Sequence, residues 1–162
     1  MIRSRNFLIC LWFFICLSLN NLAFSCSPDS LFLKSNGVTT EIKVEVADNP
    51  QTRKQGLMYR DKLDPMSGMF FVFGKPKKVH FWMKNTSISL DIIFINKSGV
   101  VKRIVEGATP FSKDLIYGGS DIQYVLELAS GLSKYLNIHK GTELMHPLIK
   151  KQSTRPCKAS EY

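Results

Sequence analysis

The chain has 162 residues, with 22 Lys and Arg against 13 Asp and Glu, a formal net charge of +9 at pH 7, and four cysteines. Apart from its first 25 residues, that length suits one domain with its own core, and neither an internal repeat nor a low-complexity block suggests an array. The positive balance favours anionic surfaces or ligands. The basic residues are nevertheless scattered, and Lys150, Lys151, Arg155 and Lys158 fall in a C-terminal tail (150–162). Solvated lysines explain this pattern, and no nucleic-acid partner is expected.

The N-terminus has the parts of an export signal. Arg3 and Arg5 precede an apolar run from Phe7 to Leu19, and Ala23-Phe24-Ser25 places small residues at a cleavage site. The run is shorter than the ~20 apolar residues of a spanning helix, and Asn20 and Asn21 end it. Residues 1–25 are therefore expected to be a removed signal peptide. The remainder would be exported to the periplasm or medium, with no transmembrane segment. Cys26 next to the cleavage site also allows a lipid anchor, although Ala23 and Phe24 fit a lipoprotein signal poorly. Only Cys26 and Cys157 survive cleavage, and an oxidising compartment permits a disulfide joining the two ends, the alternative being two free thiols.

From residue 26 to 149 the sequence reads as a single globular domain, most strongly patterned over 38–145. Thr40–Val46 alternates, with Ile42, Val44 and Val46 on one face and Glu41, Lys43 and Glu45 on the other, the period of a half-buried strand. Asp48-Asn49-Pro50 then supplies a helix start, and a short helix over Pro50–Gln55 ends at Gly56. Met69–Phe73 and Val79–Met83 are apolar runs bounded by Gly, Pro or Asn. Asp91–Ile95 and Val100–Val105 form a hairpin whose turn places Gly99 where positive φ is needed. Gly107–Asp121 reads as a long loop and candidate lid. Gln123–Leu128 is a strand, Ser130–Leu136 a short helix and Thr142–Met145 a last short strand. About six short strands and two short helices predict a compact, mostly β (α+β) fold, a barrel-like or curled sheet.

Unusual residues concentrate between Arg53 and Asp91. They include Gly56-Leu57-Met58-x-Arg60, Gly68-Met69 with Phe71-Val72-Phe73, Phe81-Trp82-Met83-Lys84-Asn85-Thr86, and Leu90-Asp91-Ile92-x-Phe94-Ile95. With Gly99, Ile104, Pro110, Val125-Leu126-Glu127-Leu128, Gly131, Ile138 and Gly141, the set resembles the family known as domain of unknown function 192, small and often exported prokaryotic proteins. The resemblance runs over roughly residues 38–145. It departs at Ser89, where the family usually has proline, and at His80, which is no family hallmark. It implies a fold and a region of interest but no reaction and no cofactor.

Arg60, Lys84, Asn85, Thr86 and Asp91 bring together cations, an amide, a hydroxyl and a carboxylate, the groups that hold a polar or anionic ligand. Trp82 adds an apolar platform. The expected function is binding of a small polar or anionic ligand, or of a cell-envelope partner, through this segment. Each residue also has a structural reading, with Asp91 pairing with Arg60 or Lys84, Asn85 and Thr86 bonding a turn, and Trp82 filling the core. A second expectation is a hydrolase-like enzyme on envelope material, with Asp91 and Glu127 as acid and base, although Glu127 on an alternating strand also fits an exposed face. A third is Cu(I) held by Met58, Met66, Met69, Met83 and His80, against which stands the apolar sequence around the methionines. The reading adopted carries no metal and no cofactor.

Overall fold

A computed structural model describes residues 27–149. The leader 1–25, Cys26, Cys157 and the tail 150–162 lie outside the described residues, and with them the signal, disulfide and lipid-anchor expectations.

The elements follow as β1 (Ser30–Ser35), β2 (Val38–Ala47), α1 (Pro50–Gln55), β3 (Ser67–Phe81), β4 (Leu90–Ile95), β5 (Val101–Ala108), β6 (Ile116–Ala129), α2 (Leu132–Tyr135) and β7 (Glu143–Met145). The fold is mostly β, as the patterning predicts, with seven strands rather than about six. The extra strand is β1, in which Leu31, Phe32 and Leu33 are all buried. A strand covered on both faces has no alternation to betray it. α1 starts and stops where its signals lie. Asn49 Oδ1 accepts from Thr52 N at 2.9 Å, Thr52 Oγ1 accepts from Asn49 N, and Pro50 opens the first turn.

All seven strands form one sheet in the order β5-β4-β6-β3-β2-β1-β7. β2 and β3 run parallel, so the chain between them must cross over, and α1 with residues 56–66 makes that crossing. The sheet curls until its two edges meet: Val101 N donates to Thr142 O at 2.9 Å and Leu144 N to Gly99 O at 2.8 Å. Gly99, at φ 80°, sits in the β4–β5 turn as expected. Among the described residues no helix is long and apolar enough to cross a membrane.

Two apolar clusters result, one on each side of the central strands. Within the curl lie Leu31, Ile42, Phe70, Ile93, Leu126 and Leu128. On the outer face lie Leu57, Phe71, Met83, Ile92, Phe94 and Val125. The alternation Phe70/Phe71, Ile92/Ile93 and Val125/Leu126 assigns successive residues to opposite clusters. The central strands are thus covered on both faces.

Two expectations need correction. Met69–Phe73 and Val79–Met83 are not separate strands. β3 runs through Gly74-Lys75-Pro76 and pairs with β6 on both sides, with register shifts between Val72 and His80. Such irregularities let a long strand bend and keep its partner. The predicted loop Gly107–Asp121 shortens to residues 109–115, because β6 begins at Ile116 and pairs with the far end of β3. Gly118 made that stretch look like a loop, yet its role is close packing. A Cβ there would run into the Phe94 ring and lie 2.8 Å from Val79 Cγ2. Since Phe94 is fully buried, Gly118→Ala should lose about 2–3 kcal/mol of unfolding free energy by overpacking. Gly74→Ala, with nothing within 4 Å of its Cβ, should stay within about 0.5 kcal/mol of wild type. Urea unfolding of both variants checks the contrast.

Candidate functional site

The residues grouped by sequence separate in space. Arg60 forms a two-pronged ion pair with Glu45 on β2, its Nη2 2.6 Å from Oε2. The bonded guanidinium holds the Glu45 carboxyl below its usual range, and Glu45 in turn raises Arg60. The pair is solvated, its side chains 33% and 59% exposed, and contributes under about 1 kcal/mol. Asn85 Nδ2 donates to Tyr59 Oη at 2.7 Å, while Tyr59 N donates to Asn85 O at 2.8 Å. Both residues are left-handed, at φ 57° and 65°. The Lys84 ammonium lies 5.5 Å from the centre of the Trp82 ring, and Ser87 Oγ donates to the Arg60 carbonyl. Asn85 and Ser87, through Tyr59 and the Arg60 carbonyl, therefore brace loops 57–61 and 82–88 against one another, while Lys84 stays over Trp82 in its own loop.

Asp91 lies elsewhere and pairs with neither Arg60 nor Lys84. It is fully buried. Its Oδ1 accepts from Gly107 N at 2.9 Å, and its Oδ2 from Gly131 N at 2.9 Å, Ser133 N at 3.0 Å and Ser133 Oγ at 2.7 Å. α2 has no capping side chain of its own, because its N-cap is Gly131. Asp91 reaches across from β4 to cap it and also ties down the end of β5. This carboxylate is fully employed in the fold.

Nor does Asp91 meet Glu127. In the antiparallel β4–β6 pair Asp91 lies opposite Leu128, and Ile92 opposite Glu127. Directly opposed residues share a face, so the two carboxyls project from opposite faces of the sheet. An acid/base couple of Asp91 and Glu127 is not what the geometry builds.

Glu127 itself is 4% exposed, not on a solvated face as its alternating strand allows. Its face of β6 is covered by α1 and the segment after it. It lines a cavity of about 130 Å³ with an open mouth. Leu57, Phe71, Phe73, Thr86 and Glu127 are the buried part of the lining, and Lys54, His80 and Trp82 are exposed at its edge. The cavity lies where α1, the far end of β3 and Thr86 converge over β6. Gly68 permits the closeness of β3 to β6 there, since a Cβ would strike the Glu127 carbonyl oxygen. Burial pushes the Glu127 carboxyl up to about 8, with neither hydrogen bond nor charge from the described residues acting on it. No fully enclosed side-chain oxygen or nitrogen among the described residues lacks a partner, so the Glu127 oxygens must meet the open space of the cavity. Near neutrality Glu127 is an uncharged acid with one O–H to donate.

The cations stand round the rim. Arg53 donates to the carbonyls of Asp48 and Val72, the latter at 3.0 Å, and its guanidinium lies 5.5 Å from the Phe73 ring centre. Lys77 Nζ lies 4.3 Å from the same centre. Apart from Glu127, no Asp or Glu lines the cavity.

The soft-metal grouping disperses. Met69 and Met83 are buried in the outer cluster, Met66 packs against the inner one, and Met58 lines the cavity. Among the described residues no group of three His, Cys, Asp or Glu converges on a metal position.

Of the expected site residues, the cavity takes Trp82, Thr86 and Glu127. It adds Arg53, Lys54, Leu57, Phe71, Phe73 and Phe81, outside the expected ligand and metal sets, and Met58 and His80, expected only as soft-metal ligands. The sequence signal available for this wall is the every-other-residue set Met69, Phe71, Phe73, hidden within a continuous apolar run.

The family model DUF192, described as "Uncharacterized ACR", matches residues 31–146. Among solved structures, a Sinorhizobium meliloti 1021 chain described as a candidate transcription regulator superposes with a TM-score of 0.70 at 40% identity, over 72% of this chain and 91% of that one. A Novosphingobium aromaticivorans DSM 12444 protein of unknown function superposes with a TM-score of 0.69 at 29% identity, over 72% and 83%. No curated protein matches.

Proposed function

The chain belongs to the DUF192 family, and from that premise we propose that it is a small-ligand-binding domain whose site is the cavity over Glu127. One observation carries the reading. A carboxyl buried to 96% has no hydrogen-bond or charge partner among the described residues and faces a cavity of about 130 Å³. Burying such a group without a hydrogen bond costs stability, and a ligand offering an acceptor recovers the missing bond. The cavity is close in size to one of ~150 Å³ that admits a benzene ring, which sets the scale of the ligand. With the leader read as an export signal, the ligand would be met in the periplasm or medium.

A second reading, an envelope partner seated at the same end of the molecule, is favoured by the exposed side chains of Tyr59, Trp82, Phe111 and Leu115. Their loops are joined by backbone bonds from Tyr59 N to Asn85 O, Met83 N to Ser112 O and Phe111 N to Thr86 O. The description of the S. meliloti chain raises DNA binding. Helices of six and four residues do not favour a groove-reading helix here.

A thermal-shift screen of small polar and anionic compounds tests the pocket. A true ligand should raise the melting temperature of wild type and of the Arg60→Gln control by several degrees, and of Glu127→Leu by none. Stabilisation that persists in Glu127→Leu, or none from any compound, removes the reading.

A further inference from the structure

The lining of the cavity narrows the chemistry of what it takes. Its inner walls are the rings of Phe71, Phe73 and Phe81 with Leu57 and Met58, suited to a ring or short chain rather than a sugar. Of its two buried polar side chains, Thr86 donates its hydroxyl to the Lys84 carbonyl, and Glu127 is a hydrogen-bond donor as long as it stays protonated. Every other ionisable group bordering it is basic: Arg53 and Lys54 from α1, His80 from β3, and Lys77 over the Phe73 ring. A cationic ligand would ionise Glu127 but would enter between like charges. A neutral ligand would leave the rim unused. An anion with two acceptor oxygens satisfies both ends of the site.

Resting on the reading of the cavity as a ligand pocket, we propose that its ligand is a small monocarboxylate with an apolar ring or short chain, whose carboxylate accepts a hydrogen bond from the Glu127 O–H. The contact is an O–H···O⁻ hydrogen bond, the short and strong charge-assisted kind. No proton needs to leave either group, and the single negative charge is shared between two carboxyls. The basic rim lowers the cost of bringing that charge in, and Trp82 at the edge covers the apolar part of the ligand. Glu127 thus acts as an acid held in reserve, which accounts for a carboxyl at a position where an apolar residue would pack without penalty.

Calorimetric titration of the full chain with benzoate, butyrate, benzamide and benzylamine tests this. The titrations run from pH 7.5 to 9.5, above the ordinary imidazole range. Benzoate or butyrate should bind, and benzylamine should not. The carboxylate affinity should fall about tenfold per pH unit once Glu127 ionises, with uptake of about one proton on binding at the upper end. Glu127→Gln keeps a donor that cannot ionise, so its affinity should stay flat across the range, and Glu127→Leu should lose binding. If benzamide or benzylamine binds in a manner that Glu127→Leu abolishes while the carboxylates do not, the ligand class is wrong and the pocket stands. A carboxylate affinity that is independent of pH in wild type also overturns the shared proton. If no probe binds, or all bind Glu127→Leu as they bind wild type, both the class and the pocket fall.

Discussion

Asp91→Ala should lose about 3–5 kcal/mol of unfolding free energy, enough to leave a domain of ordinary stability of ~5–15 kcal/mol barely folded. The reason is the number of donors that converge on one buried carboxylate. Gly107 N, Gly131 N, Ser133 N and Ser133 Oγ all donate to it. Removing the acceptor strands three backbone N–H groups at the junction of β4, β5 and α2. Asp91→Asn keeps the volume but turns an amide NH₂ towards one set of N–H donors, and should cost about 2–3 kcal/mol. Ser133→Ala removes a single donor, leaves the carboxylate well bonded and should cost about 1 kcal/mol. Urea unfolding of the three variants should give that order. An Asp91→Ala protein within 1 kcal/mol of wild type would show that the α2 junction is held by its apolar contacts instead.

The same residue shows what could be read from the sequence and what could not. Asp91 stands out as a carboxylate preceding an apolar strand, and in one dimension a ligand contact and a structural cap look alike. What separates them is the partner set, and those partners come from residues 107, 131 and 133. Local order was more legible. The half-buried strand β2 and the helix α1 carry their signals within a few residues, in alternation and in the Asn49-Pro50 cap. Burial on both faces erased the signal for β1, while the largely exposed stretch around Gly74-Lys75-Pro76 hid the continuity of β3, which only its pairing with β6 reveals. It also misled over Glu127. An acidic residue alternating with Val125 on an apolar strand looks solvated until α1 and the segment after it are folded over that face. The Trp-Met-Lys-Asn-Thr segment lies at the cavity's end of the molecule, but its Asn85 braces a neighbouring loop and its Lys84 lies over Trp82, while Trp82 and Thr86 reach the cavity.

Glu127→Gln should make the protein more stable, by an amount that depends on pH in a way only this carboxyl can produce. Its value is about 8 in the folded chain against 4.5 for the free group. Below pH 4.5 both folded and unfolded chains hold the proton, and the group leaves stability unchanged. As pH rises past 4.5 the unfolded chain releases its proton while the folded chain retains it. The folded state then binds more protons, so stability falls, by about 1.4 kcal/mol per pH unit. The loss reaches about 3 kcal/mol at pH 7 and levels off above pH 8, where the folded chain ionises too. Glutamine has no proton to release. The variant should therefore match wild type's response at pH 4, gain on it steadily through neutrality, and hold a constant advantage above pH 8. Urea unfolding at pH 4, 5.5, 7 and 8.5 measures the difference, and a gap that does not change with pH would mean that Glu127 is ionised in the fold. A polar group that weakens its own fold at neutral pH, with no partner among the described residues and a cavity in front of it, is what the proposed ligand site would require, since functional sites trade stability for function. The stabilised variant should accordingly lose the pH dependence of ligand binding in the same step in which it gains its stability.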